Sequence, residues 1–131
     1  MLLLVAIGFI ANAATTKSSS EVGSYVFGDK NKACIEACNA CIASCKTVEI
    51  MCSKAENSSM KDCEKLCKEC ISSCNACIKG MNSNDSKCKD KCLECAEICE
   101  KCATECDKYD NADCEKCATD CRAAAKHCRA M

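Results

Sequence analysis

The sequence predicts an all-α fold, an antiparallel up-down four-helix bundle with a cysteine-lined core. Three observations lead there. Twenty cysteines among 131 residues recur at steps of three, four or seven within four groups. Turn-forming residues separate the groups, and proline is absent, so nothing interrupts a helix. Steps of three and four are the a and d positions of a heptad, which lie on one face of an α-helix.

From the N-terminus, Leu2 to Ile10 is an apolar run followed by Ala11-Asn12-Ala13, an A-x-A cleavage pattern. It predicts a secretory signal peptide over residues 1–13 and an exported protein, periplasmic or secreted. The run is too short to span a bilayer, so no membrane association is expected after cleavage. Residues 14–30 read as a polar leader containing Gly23 and Gly28, with a short ordered piece around Tyr25-Val26-Phe27. The bundle domain is expected over 31–131.

The first helix carries Cys34, Cys38, Cys41, Cys45 and Cys52, and the second Cys63, Cys67, Cys70, Cys74 and Cys77. The third carries Cys88, Cys92, Cys95, Cys99, Cys102 and Cys106, and the fourth Cys114, Cys117, Cys121 and Cys128. Val48 and Ala124 occupy seam positions that cysteine leaves empty, and Met60, Met81 and Met131 continue the frames at helix ends. Asn57-Ser58-Ser59 divides the first two groups, with Ser59 and Asp62 placed as a capping-box pair. Gly80, followed by Asn82-Ser83-Asn84, is expected to end the second helix and open the third. Asp110-Asn111 and Asp113 mark the last boundary. Each helix should span about 20–26 residues, roughly 30–39 Å. Short connections between helices of similar length favour the up-down-up-down arrangement. Ile35, Ile42, Ile71 and Ile78 fall at position e and widen the stripe where the first two helices should meet. Ala96, Ala103 and Ala118 take that position on the other two.

Composition says what fills the interior. The chain has two Phe, two Tyr and no Trp, and from Asn31 onward only fourteen Ile, Leu, Val, Met or Tyr side chains. A hundred residues cannot build an ordinary core from so few, so the cysteines themselves must occupy it. Net charge is −1 with the signs interleaved, leaving neither a basic stripe for nucleic acid nor an acidic tail. A single histidine and thiols in every layer supply no base poised beside one nucleophile, so no enzyme is expected.

A sulfur-lined tube invites disulfides, zinc or iron–sulfur sites, or soft monovalent metal. An even number of cysteines in an exported chain suits disulfides. Within one helix, however, neighbouring Cβ atoms lie about 5–6 Å apart, where a bridge needs roughly 3.5–4.5 Å. Bridges between helices stay open, so a disulfide-stapled secreted helical protein is one alternative. Zinc takes four thiolates and leaves −2 per site. Twenty cysteines shared among five ions would bury a charge of about −10 with no Lys or Arg on the seam, a very costly arrangement. The C-x-x-C pairs, such as Cys38–Cys41 and Cys92–Cys95, sit inside continuous helices rather than zinc-knuckle turns. The C-x-x-C-x-x-C wrap usual for an iron–sulfur cluster does not occur. A metallothionein-like thiol sink for zinc or cadmium is the second alternative. Cu(I) fits better. Thiolates select it, it accepts two or three sulfurs, and one Cu(I) replacing one thiol proton leaves the pair neutral. The tube could then hold of order one ion per cysteine, and Ag(I) would satisfy the same balance.

The repeated C-x-x-x-C-x-x-C runs, such as Cys88–Cys92–Cys95–Cys99–Cys102–Cys106, and the closing stretch from Cys114-Glu115-Lys116-Cys117 to Cys128-Arg129-Ala130-Met131 carry a resemblance. Over roughly Asn31 to Met131 the chain resembles the copper storage proteins. The resemblance implies a four-helix bundle holding many Cu(I) ions on inward cysteines, commonly as a homo-oligomer. It also implies bacterial copper storage, with copper-requiring enzymes or copper chaperones as exchange partners, or protection from excess metal. Exported members often carry a twin-arginine signal, and no Arg-Arg precedes Leu2. Where many relatives have histidines around the last turn, this chain has Tyr109, Asp110 and Asn111.

An antiparallel bundle would gather Met51, Cys52, Met60, Cys63, Cys106, Tyr109 and Cys114 at one end. Cys34, Cys77, Met81, Cys88, His127, Cys128 and Met131 would share the other. Met51, Met60 and Met81 offer neutral thioether sulfur for passing Cu(I) inward. His127, the only histidine, sits beside Cys128 as a ligand candidate at the mouth.

Overall fold

The computed structural model describes residues 22–54 and 60–131, and its described elements are four α-helices. They are α1 (Val22–Lys54), α2 (Lys61–Asn82), α3 (Cys88–Cys106) and α4 (Ala112–Arg129). Each helix packs on the next, and α1 also packs on α4, which closes the four into a ring. The fold is the expected up-down bundle. The signal peptide expected over 1–13 lies outside the described residues, as does Ser59 of the expected capping box. No helix among the described residues is long and apolar enough to cross a membrane.

Three boundaries differ from expectation. The helix α1 is 33 residues long and starts at Val22, inside the stretch read as polar leader. At 19 and 18 residues, α3 and α4 fall slightly below the expected length. The second helix does not end at Gly80 but runs on to Asn82. Gly80 is buried, and a Cβ there would meet the Cys88 Cα at 3.7 Å and Cβ at 3.8 Å. The glycine therefore faces the head of α3 with room for an ordinary side-chain contact. The left-handed residue that turns the chain is Asn84, with φ of 52°, a conformation asparagine tolerates better than most residues. Asp85 then anchors the turn. Its carboxylate accepts from the Lys87 backbone N–H at 2.9 Å and from Lys91 Nζ at 2.6 Å, and its carbonyl accepts from the Cys88 N–H at 3.0 Å.

The last boundary is capped as the sequence suggested. Asn111 adopts extended backbone, and its side-chain oxygen accepts from the N–H groups of Asp113 at 2.8 Å and Cys114 at 3.3 Å. Asp113 and Glu115 fill the first turn of α4, and Lys126, His127 and Arg129 the last, each sign matched to the helix dipole. Replacing the cap by alanine leaves those donors unsatisfied. Asn111→Ala should cost about 1 kcal/mol, lowering the apo melting temperature by roughly 4–8 °C for a domain of this size. Thermal unfolding followed by far-ultraviolet circular dichroism checks it, and an unchanged midpoint would show that the cap contributes nothing.

The core is the seam. Nineteen of the twenty cysteines are buried, with Val48, Ala124 and the position-e alanines Ala96, Ala103 and Ala118 between them. Ile42 is buried, while Ile35, Ile71 and Ile78 are half-buried against the cluster. The largest fully buried side chain among the described residues is Val48. Such an interior offers little of the large apolar surface that stabilises ordinary bundles.

Candidate metal centre

The heptad phase turns each helix so that its cysteines point to the common axis, and the four seams merge into one column of sulfur. At the α2–α3 end, Cys34, Cys38 and Cys77 surround Cys128, with Sγ–Sγ separations of 3.7, 3.8 and 3.8 Å from it. Cys92 joins through Cys77 at 2.8 Å. Midway, Cys41 of α1 lies 3.4 Å from Cys70 of α2 and 3.4 Å from Cys121 of α4. Cys99 of α3 meets Cys70 at 3.5 Å and Cys74 at 3.8 Å, and Cys95 meets Cys74 at 3.6 Å. Further along, Cys45 is 3.6 Å from Cys117 and Cys67 is 3.8 Å from Cys102. Cys63 and Cys106 approach to 4.0 Å near the far end, where Cys52 and Cys114 are also buried.

These thiols form overlapping four-sulfur groups whose Sγ atoms all lie within 4.8 Å of one another. Cys41, Cys70 and Cys121 group with Cys45, and Cys41 and Cys70 group again with Cys74 and Cys99. Cys45, Cys102, Cys117 and Cys121 make another group, and Cys67, Cys102, Cys106 and Cys117 the next. A sulfur that belongs to two groups cannot complete two closed tetrahedral zinc sites at once without bridging. The column can instead share sulfurs between ions. The C-x-x-x-C pairs sit at 4.0 Å for Cys41–Cys45 and 3.8 Å for both Cys95–Cys99 and Cys117–Cys121. Three sulfurs around one ion in a plane need about 4.0 Å between them if metal–sulfur bonds are near ~2.3 Å.

Among the described residues no Lys, Arg, Asp or Glu side chain enters the column. The one buried carboxylate among them, Glu105, accepts from Tyr109 Oη at 3.2 Å and from Lys108 Nζ at 2.8 Å. Buried Ser44 donates to Asp120, which also binds Lys116 Nζ at 2.7 Å. These polar groups staple the outside of the bundle. Hydrogen bonds between thiols divide the column, holding the Cys63 thiol down at about 4 beside Cys106 and raising that of Cys67 beside Cys102. Where burial dominates it disfavours the thiolate, pushing Cys52 and Cys92 up to about 12 and Cys114 up to about 11. Burial, with the hydrogen bond to Glu105 second, likewise raises the Tyr109 phenol to about 12.

The candidates outside the cysteines are placed unevenly. Met51 and Met60 are half-buried at the end shared with Tyr109. Asn111 Nδ2 donates to the Met51 Sδ at 3.3 Å, a contact that spacing alone did not reveal. Met81 is buried and Met131 half-buried at the opposite end. His127 is half-buried there, next to Cys128.

Residues 28–131 match the family model described as Csp, copper storage protein. The chain is similar to the Cu(I)-bound copper storage protein BsCsp3, with 36% identity and a TM-score of 0.74 over 78% of this chain and 97% of that one. It is similar to apo copper storage protein 3 from Bacillus subtilis, with 37% identity and a TM-score of 0.71 over 76% and 96%. A protein from Nitrosospira multiformis shows 33% identity and a TM-score of 0.72 over 79% and 95%. No curated protein matches.

Proposed function

The chain belongs to the copper storage protein family, and from that premise we propose that it stores Cu(I) on its internal cysteines. One observation carries the reading: twenty free thiols, nineteen of them buried along the bundle axis and many in overlapping four-sulfur groups, with no charged side chain among them in the described residues. Each Cu(I) that replaces a thiol proton adds no net charge to the column, so loading proceeds without the burial penalty that zinc would meet. All twenty cysteines serve as ligands in this reading. Met51, Met60, Met81 and His127 serve as weaker neutral ligands near the two ends. Sulfurs now 3.4–4.0 Å apart in the middle layers need only small shifts to reach three-coordinate spacing, and slightly larger ones for linear binding.

The role is storage, not catalysis, since thiolate-saturated ions leave no open coordination position for a substrate. The apolar run and A-x-A pattern at the N-terminus support export, with copper chaperones or copper-requiring enzymes as the exchange partners. Exposed Leu93 and Ile50 supply apolar surface that a homo-oligomer would cover.

Anaerobic titration of the reduced protein with Cu(I), against a competing chromophoric chelator, tests the reading. Uptake of well over ten equivalents per chain is expected, on the order of one per cysteine. Saturation at about five or fewer would return the column to zinc-type tetrathiolate sites or a disulfide scaffold.

A further inference from the structure

Cys88 is the one cysteine of the twenty that is partly exposed. It opens α3, so no earlier turn of that helix covers it, and the Asp85 carbonyl and the close face of Gly80 fix its position. One turn further in lies Cys92, fully buried, with its sulfur 2.8 Å from that of Cys77. Cys77 belongs to the four-sulfur group with Cys34, Cys38 and Cys128. Sulfur therefore runs stepwise from solvent to the column at this end. At the other end Cys52, Cys63 and Cys114 are all buried, and the Met51 thioether already accepts the Asn111 N–H.

The geometry points to Cys88 as the thiol through which Cu(I) is admitted and released, with Cys92 and Cys77 as the relay into the column. This rests on the storage reading above. The ion arrives on a carrier ligand. The Cys88 sulfur bonds to it, the carrier ligand leaves, and the thiol proton passes to water. Cys92 then replaces Cys88 on the ion, and the Cys92 proton moves to the Cys88 sulfur. Each step forms one metal–sulfur bond as one metal–ligand bond breaks, moves one proton and transfers no electron. Release runs the same steps backward.

Two measurements on the full chain test it. Reduced apo protein is first treated with N-ethylmaleimide below one equivalent, then digested and mapped by mass spectrometry. Cys88 should carry the first label, and label appearing first at Cys52, Cys63 or Cys114 would overturn the assignment. Transfer of Cu(I) from a coloured chelate is then timed for wild type, for protein labelled at Cys88, for Cys88→Ser, and for Tyr109→Phe at the opposite end, outside the ligand set. Blocking Cys88 should slow the initial transfer by at least about tenfold while final capacity falls by no more than one or two equivalents. Tyr109→Phe should keep the wild-type rate. Equal rates for blocked and wild-type protein, or equal slowing in Tyr109→Phe, would sink the proposal. The labelled wild-type protein covers the case in which Cys88→Ser fails to fold. No uptake by the wild type would instead defeat the storage reading, and the labelling order would still be read separately.

Discussion

Cu(I) loading of the reduced protein should raise its melting temperature by at least about 15 °C. In the apo state the interior is mostly thiol and alanine, with Val48, Ile42 and Met81 its only larger buried apolar side chains and no buried aromatic side chain among the described residues. Hydrophobic burial there is thin, and each cysteine contributes less than the leucine a bundle would otherwise use. Each bound ion joins thiols from different helices. Cys41, Cys70 and Cys121, for example, come from α1, α2 and α4 and already touch. The unfolded chain binds Cu(I) too, but without that convergence. A single site filled at a thousand times its dissociation constant adds about 4 kcal/mol to folding. At roughly 4–8 °C per kcal/mol, this one site already accounts for the stated shift. Differential scanning calorimetry of apo and loaded protein under anaerobic conditions decides it. Coincident midpoints would mean that the column does not organise metal better than an unfolded thiol chain does.

The legible and illegible parts of this molecule divide along a physical line. Cysteine at most a and d positions fixes helix number, phase and the inward direction of each seam, because only helical geometry brings those spacings to one face. Residues 22–33 carry no seam cysteine. Their helix extends one already nucleated by the bundle, and extension costs far less than nucleation. Gly80 illustrates the opposite problem. Its sequence context predicts a helix end, but α2 runs through it to Asn82, and its bare face lies beside Cys88. Asn111 was legible as a boundary, since capping is local, whereas its bond to Met51 joins residues 60 apart and depends on how α1 meets the α3–α4 turn. The polar contact of Ser44 with Asp120 and the exposure of Cys88 likewise follow from helix register and helix start, which a period alone leaves undetermined.

Raising the pH should unfold the reduced apo protein well before it affects the copper-loaded form. The thiols of Cys52 and Cys92 hold their protons to about 12 and Cys114 to about 11, because burial disfavours the thiolate, against 9.0 for an unperturbed thiol. Below pH 9 both folded and unfolded chains keep these protons, and the contribution to stability is complete. Above it the unfolded chain ionises first and is favoured, until the folded pKa is reached near 11 to 12. The loss approaches about 1.4 kcal/mol per thiol for each pH unit. By pH 10 the three thiols together give up roughly 4 kcal/mol, a large share of the 5–15 kcal/mol typical of a domain. Denaturant midpoints measured anaerobically with reductant from about pH 8.5 to 11 should fall steeply. In the loaded form the metal has already displaced the thiol protons, so its profile should stay flat across the same window. A flat profile for the apo protein would show that water reaches these end thiols and that burial does not hold them neutral. Parallel falls for both forms would show that copper does not replace their protons, leaving the three end cysteines outside the metal array.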